Sequence, residues 1–521
     1  MKQKIAKKSD LENGQMKLYE VDDTKILLCR IDNQFYAVSG TCPHYGAPLD
    51  HGVLSGHRVV CPWHHASFDV ATGHLEEPPA LDGLKKFEVT IDGEDVMLDT
   101  DKEPASAPPV TMDPKKDERT FVIIGSGAAG NMAAQTLRED GFRGRLVMVN
   151  YEERVPYDRP ELSKQYMAGK AKKEWLPLRD LSFYKDRDIE WMAKHVTSVN
   201  PEFKEIKFDD GTHLPYDACL IATGGRPKTL DVAGKELQNI FTLRSYEDSD
   251  KIIEAAESAS KVAIVGASFI GMETAFSLVS RDLDVTVIAP EKVPFERFFG
   301  QDVGNLFLRL HKEKGTKFRL GETVDSFQGE SKVKSVKLKS GETLDADLVI
   351  IGIGVTPVTD FLGGVEKRPD NSIDVDDTFQ VTDGLWAAGD VARFPDWRSP
   401  DGIRIEHWRL AEQHGRDAAH NMAGKPAKFN SVPFFWTTQV GLHFRFVGHV
   451  QDWDELLIQG DVEKPDFIAY YIKHDKVYAA AGVKRDKEMA AIEELFRREH
   501  MPPPKDLGDS FDPIKRLADI R

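Results

Sequence analysis

The chain has 521 residues, 40% hydrophobic and 30% charged, with a formal net charge of −17. That length accommodates three or more domains with cores of their own, and the acidic balance excludes general affinity for nucleic acid, whose phosphates would be repelled. No apolar run reaches the length of a membrane-spanning helix. Residues 1–8 are basic with no apolar stretch behind them, so no secretory signal is expected. Four cysteines, Cys29, Cys42, Cys61 and Cys219, make no disulfide framework, which favours a reducing compartment and a cytoplasmic location.

Residues 1–103 alternate short strands, such as 25–29 and 34–38, with Gly-rich turns, an all-β pattern. Within it, Cys42-Pro43-His44 and Cys61-Pro62-Trp63-His64 form a C-x-H pair and a C-x-x-H pair sixteen residues apart. One Cys and one His from each pair is what a Rieske [2Fe–2S] centre requires, with two thiolates on one iron and two imidazoles on the other. The competing reading is a Cys2His2 zinc site, but zinc fingers group cysteines in one pair and histidines in the other, whereas here they alternate. Pro43, Gly46, Pro48 and Pro62 suit two tight loops over a cluster. The segment resembles the Rieske ferredoxins that feed oxygenases. Where high-potential respiratory relatives carry hydroxyls and extra cysteines, this chain has Ala47, Trp63, Ala66 and Phe68. Fewer hydrogen bonds to the sulfurs place the expected potential near the bottom of the Rieske range, about −150 mV. His65 stands where such ferredoxins usually have Gly, and a covering role is the simpler expectation.

Residues 104–118, Pro-rich and then charged, read as a linker. The eighteen residues 101–118 span at most roughly 60 Å when extended. From Thr120 the pattern becomes strand–turn–helix. A strand at 121–124 runs into Gly125-Ser126-Gly127-Ala128-Ala129-Gly130, a helix is expected from Asn131, and a strand at 146–149 ends near Glu152. A G-x-G-x-x-G in that setting binds a dinucleotide pyrophosphate, with the acid on the ribose. A second unit has a strand at 262–265, Gly266-Ala267-Ser268-Phe269-Ile270-Gly271, and a strand at 285–288, with Ser268 in place of the middle glycine. Two such units imply two dinucleotides; a duplicated fold with one empty site is the alternative.

Residues 120 to about 520 resemble the FAD-dependent pyridine-nucleotide reductases, specifically the oxygenase-coupled ferredoxin reductases and the apoptosis-inducing-factor-like proteins. The motifs that carry the likeness include Pro156-Tyr157-Asp158-Arg159-Pro160-Glu161-Leu162-Ser163-Lys164, 222–227 and Ala387-Ala388-Gly389-Asp390. With its Rieske segment, the chain looks like the apoptosis-inducing-factor-like 3 subgroup. The resemblance implies a multi-domain fold: an N-terminal all-β Rieske domain, then a two-dinucleotide-binding-domain α/β flavoprotein reductase, glutathione-reductase-like, with an α+β C-terminal domain. The expected segments are 1–103 Rieske, 104–118 linker, 119–245 and 366–427 FAD-binding, 246–365 NAD(P)-binding and 428–521 C-terminal.

The resemblance also implies roles. The first glycine motif (Gly125, Ser126, Gly127, Ala129, Gly130) and Glu152 would hold FAD, with Val196, Ala222, Thr223 and Gly224 completing the set. Arg159 and Lys164 would lie beside the phosphates and flavin ring, with Lys164 paired to Glu273 near the hydride path. Gly389 and Asp390 would meet the ribityl chain. His407, Trp408 and Trp436 would flank the isoalloxazine, although packing accounts for a buried Trp equally well. Gly266, Ser268, Ile270, Gly271 and Gly354 would line the nicotinamide site. Glu291 is the candidate ribose acid, and the neighbouring Lys292 leaves NADPH open beside the favoured NADH. Glutathione-reductase-like relatives carry a redox-active Cys pair beside the flavin, where this chain has Leu162-Ser163-Lys164. Electrons from NAD(P)H through FAD would therefore leave by the [2Fe–2S] cluster to an unidentified redox protein or small acceptor. A self-contained oxygenase would need an iron triad, for which Glu406, His407 and His414 are the tempting set. A third reading is a redox-sensing protein with slow NADH turnover. The Rieske and flavin domains are expected to have separate cores.

Overall fold

The computed structural model describes residues 2–99 and 117–520; most of the expected linker, residues 104–116, lies outside them. The N-terminal part is built of small antiparallel sheets. Two-residue turns at Asp22-Asp23 and Asp32-Asn33, with φ between 45° and 63°, join the strands Gln15–Val21, Thr24–Ile31 and Gln34–Ser39. Positive φ at both turn positions matches hairpin twist, and short Asp and Asn side chains tolerate it. A second four-stranded sheet, Val53–Ser55, Arg58–Val60, Ser67–Asp69 and Leu75–Glu77, stands beside the first. The two Cys/His loops leave the ends of these sheets.

The next region is doubly wound. Its six-stranded sheet runs Ile189–Ala193, Arg145–Asn150, Thr120–Ile124, Ala218–Ile221, Leu385–Ala387, Gln380–Thr382. Almost unbroken burial of Phe121, Val122, Ile123 and Ile124 is what a central parallel strand covered on both faces requires. The first helix is Ala128–Glu139, so it starts inside the glycine motif, three residues before the expected Asn131. The second unit has a five-stranded sheet, Ile240–Thr242, Leu348–Ile351, Lys261–Val265, Asp284–Ala289, Lys317–Leu320, with the helix Phe269–Val279 following its own glycine motif. A long helix, Trp408–Met422, packs across the first unit, and a five-stranded antiparallel sheet starting at Phe434–Gln439 carries the C-terminal helices Asp486–Arg497 and Pro513–Asp519. No helix of the described residues is long and apolar enough to cross a membrane.

The expectation of separate cores holds only in part. The Rieske sheets enclose clusters of their own around Leu27, Cys29, Phe68 and around Ile26, Leu28, Val96. Val53 and Val60, however, pack with Ala490, Ala491, Leu495 and Leu517 in one shared apolar cluster. Each large aliphatic side chain buried there contributes about 1.5–3 kcal/mol, so the two parts fold against each other.

Candidate active site

The first loop closes when the Cys42 N–H donates to the Ala47 carbonyl at 2.9 Å, and the second when the Cys61 N–H donates to Ala66 at 2.8 Å. These closures turn the following N–H groups inward. Those of His44 and Tyr45 donate to the Cys42 sulfur, and those of Trp63 and His64 to the Cys61 sulfur. The two thiols are hydrogen-bonded to each other and form no disulfide. The Nδ1 atoms of His44 and His64 lie 3.1 Å apart. Two nitrogens sharing one metal at roughly 2.1 Å stand about 3.0–3.4 Å from each other, so the imidazoles are already placed as a chelating pair. A single zinc ion needs all four side chains around one point. Instead the thiols pair and the imidazoles pair, and among the described residues no group of three or more His, Cys, Asp or Glu surrounds a common point. The donor set fits a binuclear cluster.

The first glycine motif forms a cradle. A Cβ on Gly130 would lie 1.9 Å from the Gly125 carbonyl, which is how closely helix Ala128–Glu139 approaches its strand. A Cβ on Gly127 would meet nothing within 4 Å, leaving open space at the helix N-terminus, where a pyrophosphate is stabilised by free N–H groups. Ser126 and Ala129 are buried beside it. Glu152 accepts from the Tyr157 hydroxyl at 2.8 Å and lies 3.9 Å from Arg159. Arg159 also donates to the Arg244 carbonyl at 2.5 Å, and Arg244 pairs with Asp390 at 3.0 Å. Ala222, Thr223 and Gly224 follow the strand Ala218–Ile221, with the Thr223 hydroxyl donating to the Val358 carbonyl at 2.6 Å, and Gly389 faces Ala129. Val196 lies in the flavin-unit core rather than in open space.

The second unit repeats the design. A Cβ on Gly271 would lie 2.2 Å from the Gly266 carbonyl, Ser268 occupies the N-terminal boundary of the helix Phe269–Val279 without a side-chain cap, Ile270 is exposed at its first turn, and Gly354 faces open space. Glu291 pairs with the exposed Arg297 at 3.3 Å.

Between the two units, the Lys164 ammonium sits 3.0 Å from Glu273 and donates to the Pro160 carbonyl at 2.9 Å. Glu273, 5% exposed, also accepts from Ser163 at 2.6 Å and Thr437 at 2.7 Å. The Gln439 amide donates to Thr437 at 2.8 Å, and its carbonyl oxygen lies 3.0 Å from His311 Nε2. Thr437 and Gln439 were visible in the sequence only as polar residues two apart in an apolar strand; nothing local names their partner. Beside this network, burial and the charge of Asp158 push the Glu161 carboxyl up to about 7. Burial, with Asp158 beside it, also lifts Glu412 well above the carboxylate range; Trp408 donates to it.

The Rieske loops rest on this region. The Trp436 ring lies 4.4 Å from His64 and 5.0 Å from His407. His407, half-buried, is held neutral, its pKa lowered to about 3 first by desolvation and then by the nearby Lys164 charge. The Tyr45 hydroxyl donates to Asp158 at 2.5 Å. The buried Arg445 guanidinium donates to the Trp63 carbonyl at 2.9 Å and faces the Cys61 sulfur. Tyr45 and Arg445 are site residues that sequence reading missed.

The tempting oxygenase set is not assembled. Glu406 pairs with Arg404 at 2.7 Å, His407 contacts Phe435 and Trp436, and His414 is enclosed by Phe379, Phe394 and Phe429 at 4.5–5.0 Å. Among the described residues the His414 nitrogens have no hydrogen-bond partner, and burial lowers its pKa to about 3. The unfolded chain therefore takes up this proton first as pH falls below about 6.5, and stability declines until about pH 3, by about 1.4 kcal/mol per pH unit. His414→Phe should remove that slope, gaining about 2 kcal/mol on the parent at pH 5 relative to the difference at pH 7.5. Urea melts at the two pH values measure it, and equal differences would refute the assignment.

The family model for pyridine nucleotide-disulphide oxidoreductases matches residues 119–415. The chain belongs to that family. The Rieske [2Fe-2S] domain model matches residues 1–88 and the reductase C-terminal model residues 434–518. Apoptosis-inducing factor 3 of Homo sapiens is 38% identical over 94% of this chain and 82% of its own length. Putidaredoxin reductase of Pseudomonas putida is 31% identical over 76% of this chain and 96% of its own. Among solved structures, the covalent putidaredoxin reductase–putidaredoxin complex gives a TM-score of 0.73 at 31% identity, covering 77% of this chain and 98% of that one. As a member of the family, the protein is an NAD(P)H-dependent oxidoreductase, and FAD and a Rieske [2Fe–2S] cluster are its cofactors.

Proposed function

We propose that electrons pass from NAD(P)H through FAD to the Rieske cluster of the same chain, and from there to an external one-electron acceptor. The observation that carries this reading is Trp436, in ring contact with both His64 of the cluster loop and His407 of the flavin side. FAD, when bound, converts a two-electron hydride donor into single electrons that a one-electron cluster accepts.

The chain's own residues bind, orient and hold protons. Cys42 and Cys61 hold one iron, His44 and His64 the other, and the buried Arg445 cation beside Cys61 favours the added electron. Gly125, Gly127 and Gly130 bring backbone N–H groups to the FAD pyrophosphate; Glu152 and Asp390 take its ribose and ribityl hydroxyls. Lys164, held by Glu273, presents a fixed ammonium where negative charge develops on hydride transfer. His407 stays neutral, and burial with the Asp158 charge beside it raises the Glu412 carboxyl well above the carboxylate range. Gly266, Ser268 and Gly271 receive the nicotinamide dinucleotide. Glu291 at the strand end favours NADH, and Lys292 leaves NADPH usable. A ferredoxin-type protein is the acceptor class that relatives' names suggest, and four buried cysteines without a disulfide suit a reducing cytoplasm. The likeness to apoptosis-inducing factor 3 also supports a second reading, a redox sensor with slow turnover.

Purified protein should carry one FAD and two irons per chain, with no stoichiometric zinc. Anaerobic titration with NADH should bleach the flavin and bring up the electron paramagnetic resonance of a reduced Rieske cluster. Stoichiometric zinc without iron would overturn the cluster assignment. Rapid flavin reduction with negligible turnover on any cytochrome, ferredoxin or quinone would favour the sensor.

A further inference from the structure

Behind the cluster loops lies a buried junction of all three parts of the chain. His65 is fully buried, with φ of 58°. Its Nδ1 bonds Glu493 on the C-terminal helix Asp486–Arg497, and its ring stacks on Phe434 at 4.0 Å. Arg409, also fully buried on the helix Trp408–Met422, donates to Glu493 at 2.8 Å, to the His65 carbonyl at 3.0 Å and to the Pro78 carbonyl at 2.8 Å. Glu77 is a second anchor. It accepts from Gln413 at 2.7 Å and Ser431 at 2.8 Å and pairs with Arg416 at 3.2 Å. Arg58 pairs with the buried Glu494 at 2.9 Å, beside the apolar cluster of Val53, Val60, Leu495 and Leu517.

We propose that these contacts clamp the Rieske domain permanently onto the Trp436 face, making it a built-in acceptor and closing that face to any separate ferredoxin. The inference rests on the electron route proposed above. A domain that docked and swung away would meet the reductase through a polar, hydrated surface. Here, undocking would expose Val53, Val60 and Leu495 and part three charged anchors at once. Protein acceptors consequently take electrons from the cluster domain rather than directly from the flavin, which only small dyes still reach.

His65→Gly tests the clamp, because glycine adopts the same positive φ without strain and so preserves the ligand loop. Glu77→Ala is the second variant, remote from the ligands, and decides the matter if His65→Gly loses its cluster. Full-length protein with both cofactors is mixed anaerobically with NADH, and flavin and cluster reduction are followed separately. In the parent, cluster reduction should not change over a hundredfold range of protein concentration or with added sucrose. The variants should keep the parent rate of flavin reduction and the parent cluster spectrum, while transfer to the cluster slows at least tenfold and becomes sensitive to viscosity. A parent rate that rises with protein concentration means docking between chains. One that falls with viscosity means a swinging domain, and either overturns the clamp. So do variants that transfer at the parent rate. A parent cluster that NADH never reduces is a different failure: it overturns the electron route itself.

Discussion

A Cys61→Ser variant reduces its flavin with NADH at the parent rate and loses electron delivery to one-electron protein acceptors. The first step depends on the two glycine cradles and on Lys164 with Glu273, none of which touches the cluster loops. The second depends on a cluster that has lost one of four ligands. Changes in the surroundings of metal ligands alone cost about 10–100-fold, so loss of a ligand should take protein-acceptor turnover down by about 100-fold or more. Dyes that collect electrons directly from flavin remain substrates. The measurement is stopped-flow flavin reduction beside steady-state turnover, on protein shown to retain FAD and to lack the cluster signal. Unchanged delivery to the protein acceptor would make the Rieske domain a docking or sensing module.

Glu273→Ala produces the opposite split. Glu273 holds the Lys164 ammonium at 3.0 Å and accepts from Ser163 and Thr437 in a buried site. Truncation leaves Lys164 without its carboxylate and two hydroxyls without an acceptor; breaking a buried pair in this way costs about 3–5 kcal/mol of stability. It also frees Lys164 to move, and a misplacement of about 1 Å at a reacting centre costs about 10²-fold. Flavin reduction by NADH should therefore slow by about two orders of magnitude, while the cluster spectrum and dithionite reduction of the cluster stay as in the parent. Glu273→Gln, which keeps an acceptor oxygen for Thr437, should lose less. A Glu273→Ala variant with parent-like flavin reduction would remove this pair from the hydride step.

What was legible in the sequence was local. The Cys/His pairs and the two glycine motifs are contiguous, and their backbone requirements select particular residues, so the cluster loops and both dinucleotide units could be placed from spacing alone. The helix start at Ala128 rather than Asn131 was missed because Ala128, Ala129 and Gly130 read as turn, although the third glycine already lies in the helix and packs on Gly125. Long-range contacts were invisible. His65 read as a cover for the cluster, yet its ring pairs with a carboxylate 428 residues further on. Thr437 and Gln439 on one strand, with His311 on the helix Glu296–Glu313, form a buried chain to Glu273 on the helix Phe269–Val279, and no periodicity reports such a partner. The shared cluster of Val53 and Val60 with Leu495 and Leu517 was likewise hidden, because each half looks like the interior of its own domain. The surroundings of His414, in the set that a self-contained oxygenase would have needed, were hidden for the same reason: the three phenylalanines around it come from elsewhere in the chain.

Rapid-freeze electron paramagnetic resonance of a single anaerobic turnover, with one NADH per chain, follows the electron from flavin to cluster to acceptor. The flavin should be reduced first, and the reduced Rieske signal should then grow at a first-order rate independent of protein concentration and disappear when a protein acceptor is added. A flavin that hands its electrons to that acceptor while the cluster stays oxidised throughout would contradict that route.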